Sequence, residues 1–215
     1  MGRIAWIGLP KKLDDVLPKV INGTWRIEEA MANRKREMEV RILDDKVAEA
    51  LNPYMGHPGK PDSAILVIQK ILNEHPELKY APRLGHFYIY SLVKTDTEKA
   101  YRYGKELMAA RMPDDPPYQS ISDAVYYITE VAKKEVPGKL YELGAEALQA
   151  QIDNYPWSMD IPVTYDNIAA WYFRAGRRDK AVEAEEKAIE AIKKNMVTKA
   201  ALPVLETKLQ NYKRI

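Results

Sequence analysis

Apolar residues at helical spacing recur in pairs of segments along most of this 215-residue chain. The second segment of each pair has an anchor near its start, and the four anchors, Ala64, Ala100, Leu140 and Ala181, lie 36, 40 and 41 residues apart. Three of the four are alanines, and small side chains allow two helices to approach closely. A period of this length is typical of stacked helix pairs that bury their apolar faces against each other. The pattern therefore predicts an all-α fold of about four helix pairs.

The clearest repeat lies between residues 165 and 194. Large residues on a first helix, a glycine turn and small residues on a second helix follow one another there; they are Tyr165, Ile168, Ala169, Tyr172, Gly176, Ala181 and Ala188. This order and spacing resembles the tetratricopeptide repeat, with a departure at Glu185, where the pattern favours an aromatic residue. The resemblance covers most of residues 26 to 212 in weaker form, and it implies a tetratricopeptide-like α-solenoid.

The two ends of this array are predicted from breaks in the helical period. Residues 25 to 51 form the first helix, and the proline- and glycine-rich stretch 52 to 59 forms a long turn after it. Residues 196 to 212 form a closing helix, which a solenoid needs to cover its last apolar face.

The first 24 residues follow a different pattern. Residues 3 to 8, from Arg3 to Gly8, are β-branched and aromatic and predict a strand, and the apolar spacing after Lys11 predicts a helix that stops at Asn22-Gly23. This strand and helix resemble the end of a thioredoxin-like domain of the bacterial secreted or membrane-tethered type. The resemblance implies a domain boundary at residues 24 and 25, with the catalytic Cys-x-x-Cys part outside this chain. The alternative is an N-terminal arm that only looks thioredoxin-like.

Composition excludes several classes of function. With 33 basic and 31 acidic residues the net charge is only +2, too small for the basic field that nucleic-acid binding uses. No apolar run approaches the length of a membrane span, so no membrane insertion is expected. The chain has no cysteine, and its three histidines lack metal-ligand spacing. We expect no cofactor, no metal site and no catalytic residue.

The residues predicted to bind a partner lie on first helices, which line the concave face of tetratricopeptide arrays. They are His86, Tyr90, Tyr126, Glu130, Asp166 and Arg174. Tyrosine is abundant, with 14 tyrosines against two phenylalanines, and it serves both in helix packing and at interfaces.

These features predict a non-enzymatic interaction module that binds a peptide or a protein domain and is attached to a thioredoxin-like redox protein. The alternative is a structural or dimerising appendage, in which the strand over residues 3 to 8 pairs with that of a second copy. A helical enzyme with an unrecognised site is a third hypothesis. The thioredoxin-like resemblance implies a periplasmic or secreted location, and without it the expected location is cytoplasmic.

Overall fold

The computed structural model describes residues 13–55, 59–110, 117–194 and 199–214. Ten α-helices lie within these ranges; they are α1 (Leu13–Ile21), α2 (Ile27–Met55), α3 (Pro61–Glu74), α4 (Pro82–Thr95), α5 (Thr97–Ala109), α6 (Pro117–Tyr126), α7 (Gly138–Asn154), α8 (Ile161–Arg174), α9 (Arg178–Lys194) and α10 (Leu202–Lys213). A π-helical turn, Tyr127–Val131, continues α6. The described ranges contain no strand, so the predicted all-α class is confirmed for them. The predicted strand over residues 3 to 8 lies outside them.

The first long helix differs from the predicted boundary. It was expected to end at residue 51, before Asn52 and Pro53, but α2 continues to Met55. Proline usually ends a helix, because it lacks a backbone N–H and its ring crowds the preceding turn. Leu51 is fully buried and packs with Ile68 and Leu84, and beyond Pro53 the Met55 sulfur accepts from the Ser91 hydroxyl of α4 at 3.9 Å, so contacts on both sides of Pro53 hold the last turn of α2.

Two predicted turns have the backbone geometry that favours glycine. Gly23 follows α1 with a φ of 67°, and Gly176 joins α8 to α9 with a φ of 76°. At the second turn the backbone N–H of Arg177 donates to the carbonyl of Tyr172 at 2.8 Å, and the N–H of Gly176 donates to Phe173 at 3.0 Å. A residue with positive φ and these two bonds ends the helix and satisfies its last carbonyl groups.

Each helix packs mainly on helices close to it in the chain. Contacts join α2 to α3, α4 to α5, α6 to α7 and α8 to α9, which are the four predicted pairs. Further contacts join α2 to α4, α4 to α6 and α5 to α7, and the second helices α3 and α7 also pack on the following first helices, α4 and α8. The anchors Ala64, Ala100, Leu140 and Ala181 are all fully buried, as the spacing predicts.

Glycine allows the closest approach between successive pairs. A Cβ atom at Gly144 on α7 would lie 2.8 and 2.9 Å from two ring carbons of Trp171 on α8, and 3.1 Å from Val125. Trp171 is itself buried, so its ring has little room to move. The absence of a side chain at Gly144 therefore sets how closely α7 and α8 pack.

A buried carboxylate ties α2 to the start of α4. Asp44 accepts hydrogen bonds from the backbone N–H groups of Arg83 and Leu84, each at 2.9 Å. The first N–H groups of a helix have no partner within the helix, so Asp44 satisfies two of them from a different helix. Its burial raises the pKa of Asp44, while the two backbone hydrogen bonds act in the opposite direction.

The C-terminal helix covers the end of the last pair. α10 packs mainly on α9, where Leu205 meets Ala188, Ile189 and Ile192. It begins at Leu202, after a 3₁₀ turn, and residues 196 to 198 of the predicted closing helix lie outside the described ranges. Among the helices described, none is long and apolar enough to cross a membrane.

We expect Gly144→Ala to lower the free energy of unfolding by about 1–3 kcal/mol, because the added methyl group overlaps the Trp171 ring. Gly85→Ala is the matched control: its methyl group would lie at ordinary contact distance, 3.4 Å from Leu107 and Tyr103. Since alanine favours helix, this control should be neutral or stabilise by about 0.5–1 kcal/mol. Urea unfolding followed by circular dichroism measures both. Equal stability of the two variants would contradict the packing argument.

Candidate interaction surface

Three polar residues form a stripe along α4. His86, Tyr90 and Lys94 are spaced four residues apart, which places them on one side of the helix. The rings of His86 and Tyr90 are stacked, with centroids 6.2 Å apart and an interplanar angle of 16°. The facing helix α6 and its π-helical turn contribute Asp123 and Tyr127, which are also four residues apart.

Two tyrosines and a lysine meet where these stripes face each other. The ring centroids of Tyr90 and Tyr127 are 4.9 Å apart, and the Lys94 ammonium lies 4.0 Å from the first centroid and 4.8 Å from the second. An ammonium over a tyrosine face is attracted by the negative potential of the ring. Burial raises the pKa of Tyr90, and a hydrogen bond with Tyr127 raises it further.

Lys94 is partly withdrawn from water without a carboxylate to balance it. Burial lowers the pKa of Lys94, and the nearby positive charge of Lys134 lowers it further. Among the described residues, no acidic side chain lies within ion-pair distance of Lys94. The site therefore holds a desolvated cation beside a second cation, an arrangement that an added negative charge would stabilise.

At the other end of the α4 stripe, His86 and Asp123 interact electrostatically. Burial lowers the pKa of His86, and the negative charge of Asp123 opposes this shift. Partial desolvation raises the pKa of Asp123, while His86 and a hydrogen bond from Gln119 act to lower it. The charges of His86 and Asp123 are opposite and stabilise each other, whereas those of Lys94 and Lys134 are both positive and repel.

The π-helical turn links α6 to α8. Glu130 lies in this turn and accepts a hydrogen bond from Arg174 at 2.6 Å. The Arg174 guanidinium also lies 5.5 Å from the ring centroid of Tyr141, whose hydroxyl donates to Glu135 at 2.8 Å. We call the set His86, Tyr90, Lys94, Tyr127, Glu130 and Arg174 the first-helix surface, since its members lie on α4, on the turn after α6 and on α8.

The six predicted binding residues fall into four places. His86 and Tyr90 lie together on α4, and Glu130 and Arg174 form an ion pair. Tyr126 lies at the end of α6 and is 52% exposed. Asp166 lies apart from the others and faces α10. Lys208 of α10 donates to both of its carboxylate oxygens, at 2.5 and 2.8 Å.

The residues predicted from the sequence to bind a partner did not include Lys94, Tyr127 or Asp123, which the structure places beside His86 and Tyr90. The spacing of His86, Tyr90 and Lys94 was a signal for one shared helix face. The partner stripe on α6 could not be assigned from spacing, because it depends on the register in which α4 packs against α6.

Two open depressions lie away from this surface. One, of about 590 Å³, is lined by residues around the 3₁₀ turn Pro156–Ser158 and by Ala191, and it includes Trp157, which is 78% exposed. The other, of about 300 Å³, lies between α1 and the start of α2. Within the described ranges, no three His, Asp or Glu side chains converge as a metal site would require.

Comparisons with known proteins do not assign a family. No protein-family model matches the chain, and no curated protein and no solved structure shows a significant match.

Lys133, two residues after the π-helical turn, has an unfavourable backbone. Lys133 has a φ of 52°, in the left-handed region that side chains disfavour, and its ammonium lies 3.8 Å from Glu130. We expect Lys133→Gly to be neutral or to raise the free energy of unfolding by up to about 1 kcal/mol, since glycine relieves this strain. Lys134→Gly, the neighbouring control, should lower it by about 0.5–1 kcal/mol. Thermal and urea unfolding measure both, and a large loss of stability in Lys133→Gly would contradict the strain argument.

Proposed function

We propose that this chain is a non-enzymatic interaction module: a tetratricopeptide-like array of helix pairs that binds an acidic segment of a partner protein on its first-helix surface. The observation that carries the proposal is the Lys94 ammonium, which lies over Tyr90 and Tyr127 and has no acidic partner among the described residues.

The order of helix contacts supports the array. In a stack of helix pairs, each first helix packs on the next first helix and each second helix on the next second helix. Contacts of α2 with α4, of α4 with α6 and of α5 with α7 follow this order. α4 packs on α6, and the π-helical turn after α6 is joined to α8 by the ion pair of Glu130 with Arg174, so the first-helix surface follows this order.

The charge at Lys94 favours an acidic partner. Removing an ammonium from water is unfavourable, and the two tyrosine rings offset only part of this loss. A carboxylate from another chain would gain from both Lys94 and Lys134, and the partly dry setting would strengthen the ion pair. Tyr126, which precedes Tyr127 and is half exposed, offers an apolar ring to a neighbouring side chain of the same segment.

Two eight-residue fluorescent peptides test this function by anisotropy, one alternating glutamate with leucine and one alternating glutamine with leucine. The wild-type chain should bind the glutamate peptide more tightly than the glutamine peptide, and added salt should weaken the binding. Lys94→Gln should weaken it at least about tenfold, since a hydrogen-bonded charge pair is lost.

Lys70→Gln is the matched control, because Lys70 is an exposed cation on the second helix α3, away from this surface. Its affinity for the glutamate peptide should equal that of the wild type. Equal binding of both peptides, failure to bind either, or the same loss in the Lys70 and Lys94 variants would contradict the proposal.

We also infer that the first 24 residues belong to a thioredoxin-like unit to which the array is attached. The exposure of α1 supports this inference. Four apolar residues of this helix, Leu13, Leu17, Val20 and Ile21, are each between 39% and 73% exposed. A helix with an exposed apolar face is expected to bury it against another part of the protein, here the rest of the inferred thioredoxin-like unit.

A separate observation favours the alternative function, self-association. Ile27, Met31, Met38 and Ile42 are exposed and form one stripe along α2, on the side away from the buried Leu51. Such a stripe suits a second copy of α2 packed antiparallel.

The charges beside the stripe are complementary in that arrangement. If the twofold axis passes near Met31, Glu28 of each copy lies opposite Lys35 of the other, the two Met31 side chains meet at the centre, and the contact covers the Ile27 and Met31 half of the stripe.

Sedimentation at micromolar concentration tests self-association. On this alternative the wild type is a dimer and Met31→Glu is a monomer, because two carboxylates would meet at the axis. Leu66→Glu is the matched control, since Leu66 on α3 and Met31 are both 68% exposed, and this variant should stay dimeric. A monomeric wild type would exclude the alternative without bearing on the peptide experiment.

A further inference from the structure

A carboxyl group is buried without a partner where the last three helices meet. Glu185 of α9 is fully buried, and neither of its carboxylate oxygens has a hydrogen-bond partner among the described residues. An ionised carboxylate in such a place loses its hydration and receives no hydrogen bond in return. A protonated, uncharged carboxyl group fits the same place at much lower free-energy cost.

The charged neighbours of Glu185 come from both helices that pack on α9. Asp166 on α8 is a second negative charge, and Lys208 on α10 is the positive charge between the two helices. Lys208 donates to both oxygens of Asp166. The negative charge of Asp166 therefore offsets much of the attraction between the Lys208 ammonium and Glu185. The third neighbour is the Tyr212 hydroxyl on α10, whose pKa is raised in part by the negative charge of Glu185.

These surroundings set the pH range in which Glu185 ionises. Burial raises the pKa of Glu185 to about 7, with a further contribution from Asp166 and an opposing one from Lys208. Burial, with Glu185 and Asp166, likewise raises the pKa of Tyr212 to about 12, so Tyr212 stays protonated across this range.

The element most able to respond is α10. It is held by Leu205 against α9, by the ring of Tyr212 4.8 Å from that of Phe173, and by ion pairs of Lys208 with Asp166 and Lys213 with Glu186. Helices at the end of a stack open at lower free energy than the rest of the fold, because fewer contacts must break. Opening of α10 would return Glu185 to water.

We propose that the protonation of Glu185 controls the docking of α10 on α8 and α9. With Glu185 protonated, α10 is tightly docked; with Glu185 ionised, α10 opens more often. The group binds its proton more tightly in the docked state, so docking is strongest below the pKa of a free glutamate and weakens as the pH rises to about 7. Above that value docking no longer changes with pH.

Hydrogen exchange of the full chain, read by mass spectrometry at pH 5 and pH 8, tests this proposal. After correction for the intrinsic effect of pH on exchange, protection of the α10 amides should fall at least about tenfold between the two, since each unit of pKa shift is a factor of ten. In Glu185→Gln, which cannot ionise, protection should be the same at both values. Glu183→Gln is the control on the same helix, because Glu183 is exposed and pairs with Lys187, and it should respond as the wild type does.

Constant protection of α10 in the wild type, or an equal response in Glu185→Gln, would overturn the proposal. If Glu185→Gln does not fold, a carbon-13 NMR titration of the Glu185 carboxyl group in the wild type decides. A midpoint near pH 7 supports the proposal, and a midpoint near that of a free glutamate overturns it.

Discussion

Close approach of helix backbones is the constraint on which the other features of this chain depend. At several points where two helices come close, the residue is glycine or alanine, as at Gly144 beneath the Trp171 ring and at Ala181 on α9. A larger residue there would separate the helices by the width of its side chain. The distances between α4, α6 and α8, and so between the groups on their outer sides, follow from this packing.

On the proposed function, the first-helix surface would give selectivity to a nearly neutral chain. A net charge of +2 gives little long-range attraction, so recognition of the proposed partner would depend on a few groups in a defined local setting. Lys94 differs from the exposed lysines in that its ammonium is partly dry and held over two rings. In such a setting one charge contributes more to binding than several charges in open water.

Sequence predicted the features that depend on spacing along one helix, and missed those that depend on register between helices. The anchors of the second helices and the turn at Gly176 belong to the first kind. The meeting of Lys94 with Tyr127 and the capping of α4 by Asp44, about 40 residues away, belong to the second. Glu185 was recognised as a departure from the repeat, but its lack of a hydrogen-bond partner among the described residues depends on where α10 lies. The predicted end of α2 was wrong because contacts of Leu51 and Met55, on either side of Pro53, outweighed the effect of proline.

The neighbour-to-neighbour packing of these helices also bears on how the chain is made. Because most contacts join helices close in sequence, the entropy lost in closing each loop is small, and folding should be fast for a chain of this length. An early pair can form while later pairs are still being synthesised. The apolar face of α9 stays uncovered until α10 leaves the ribosome, and a chain interrupted between these two helices would present that face to a chaperone.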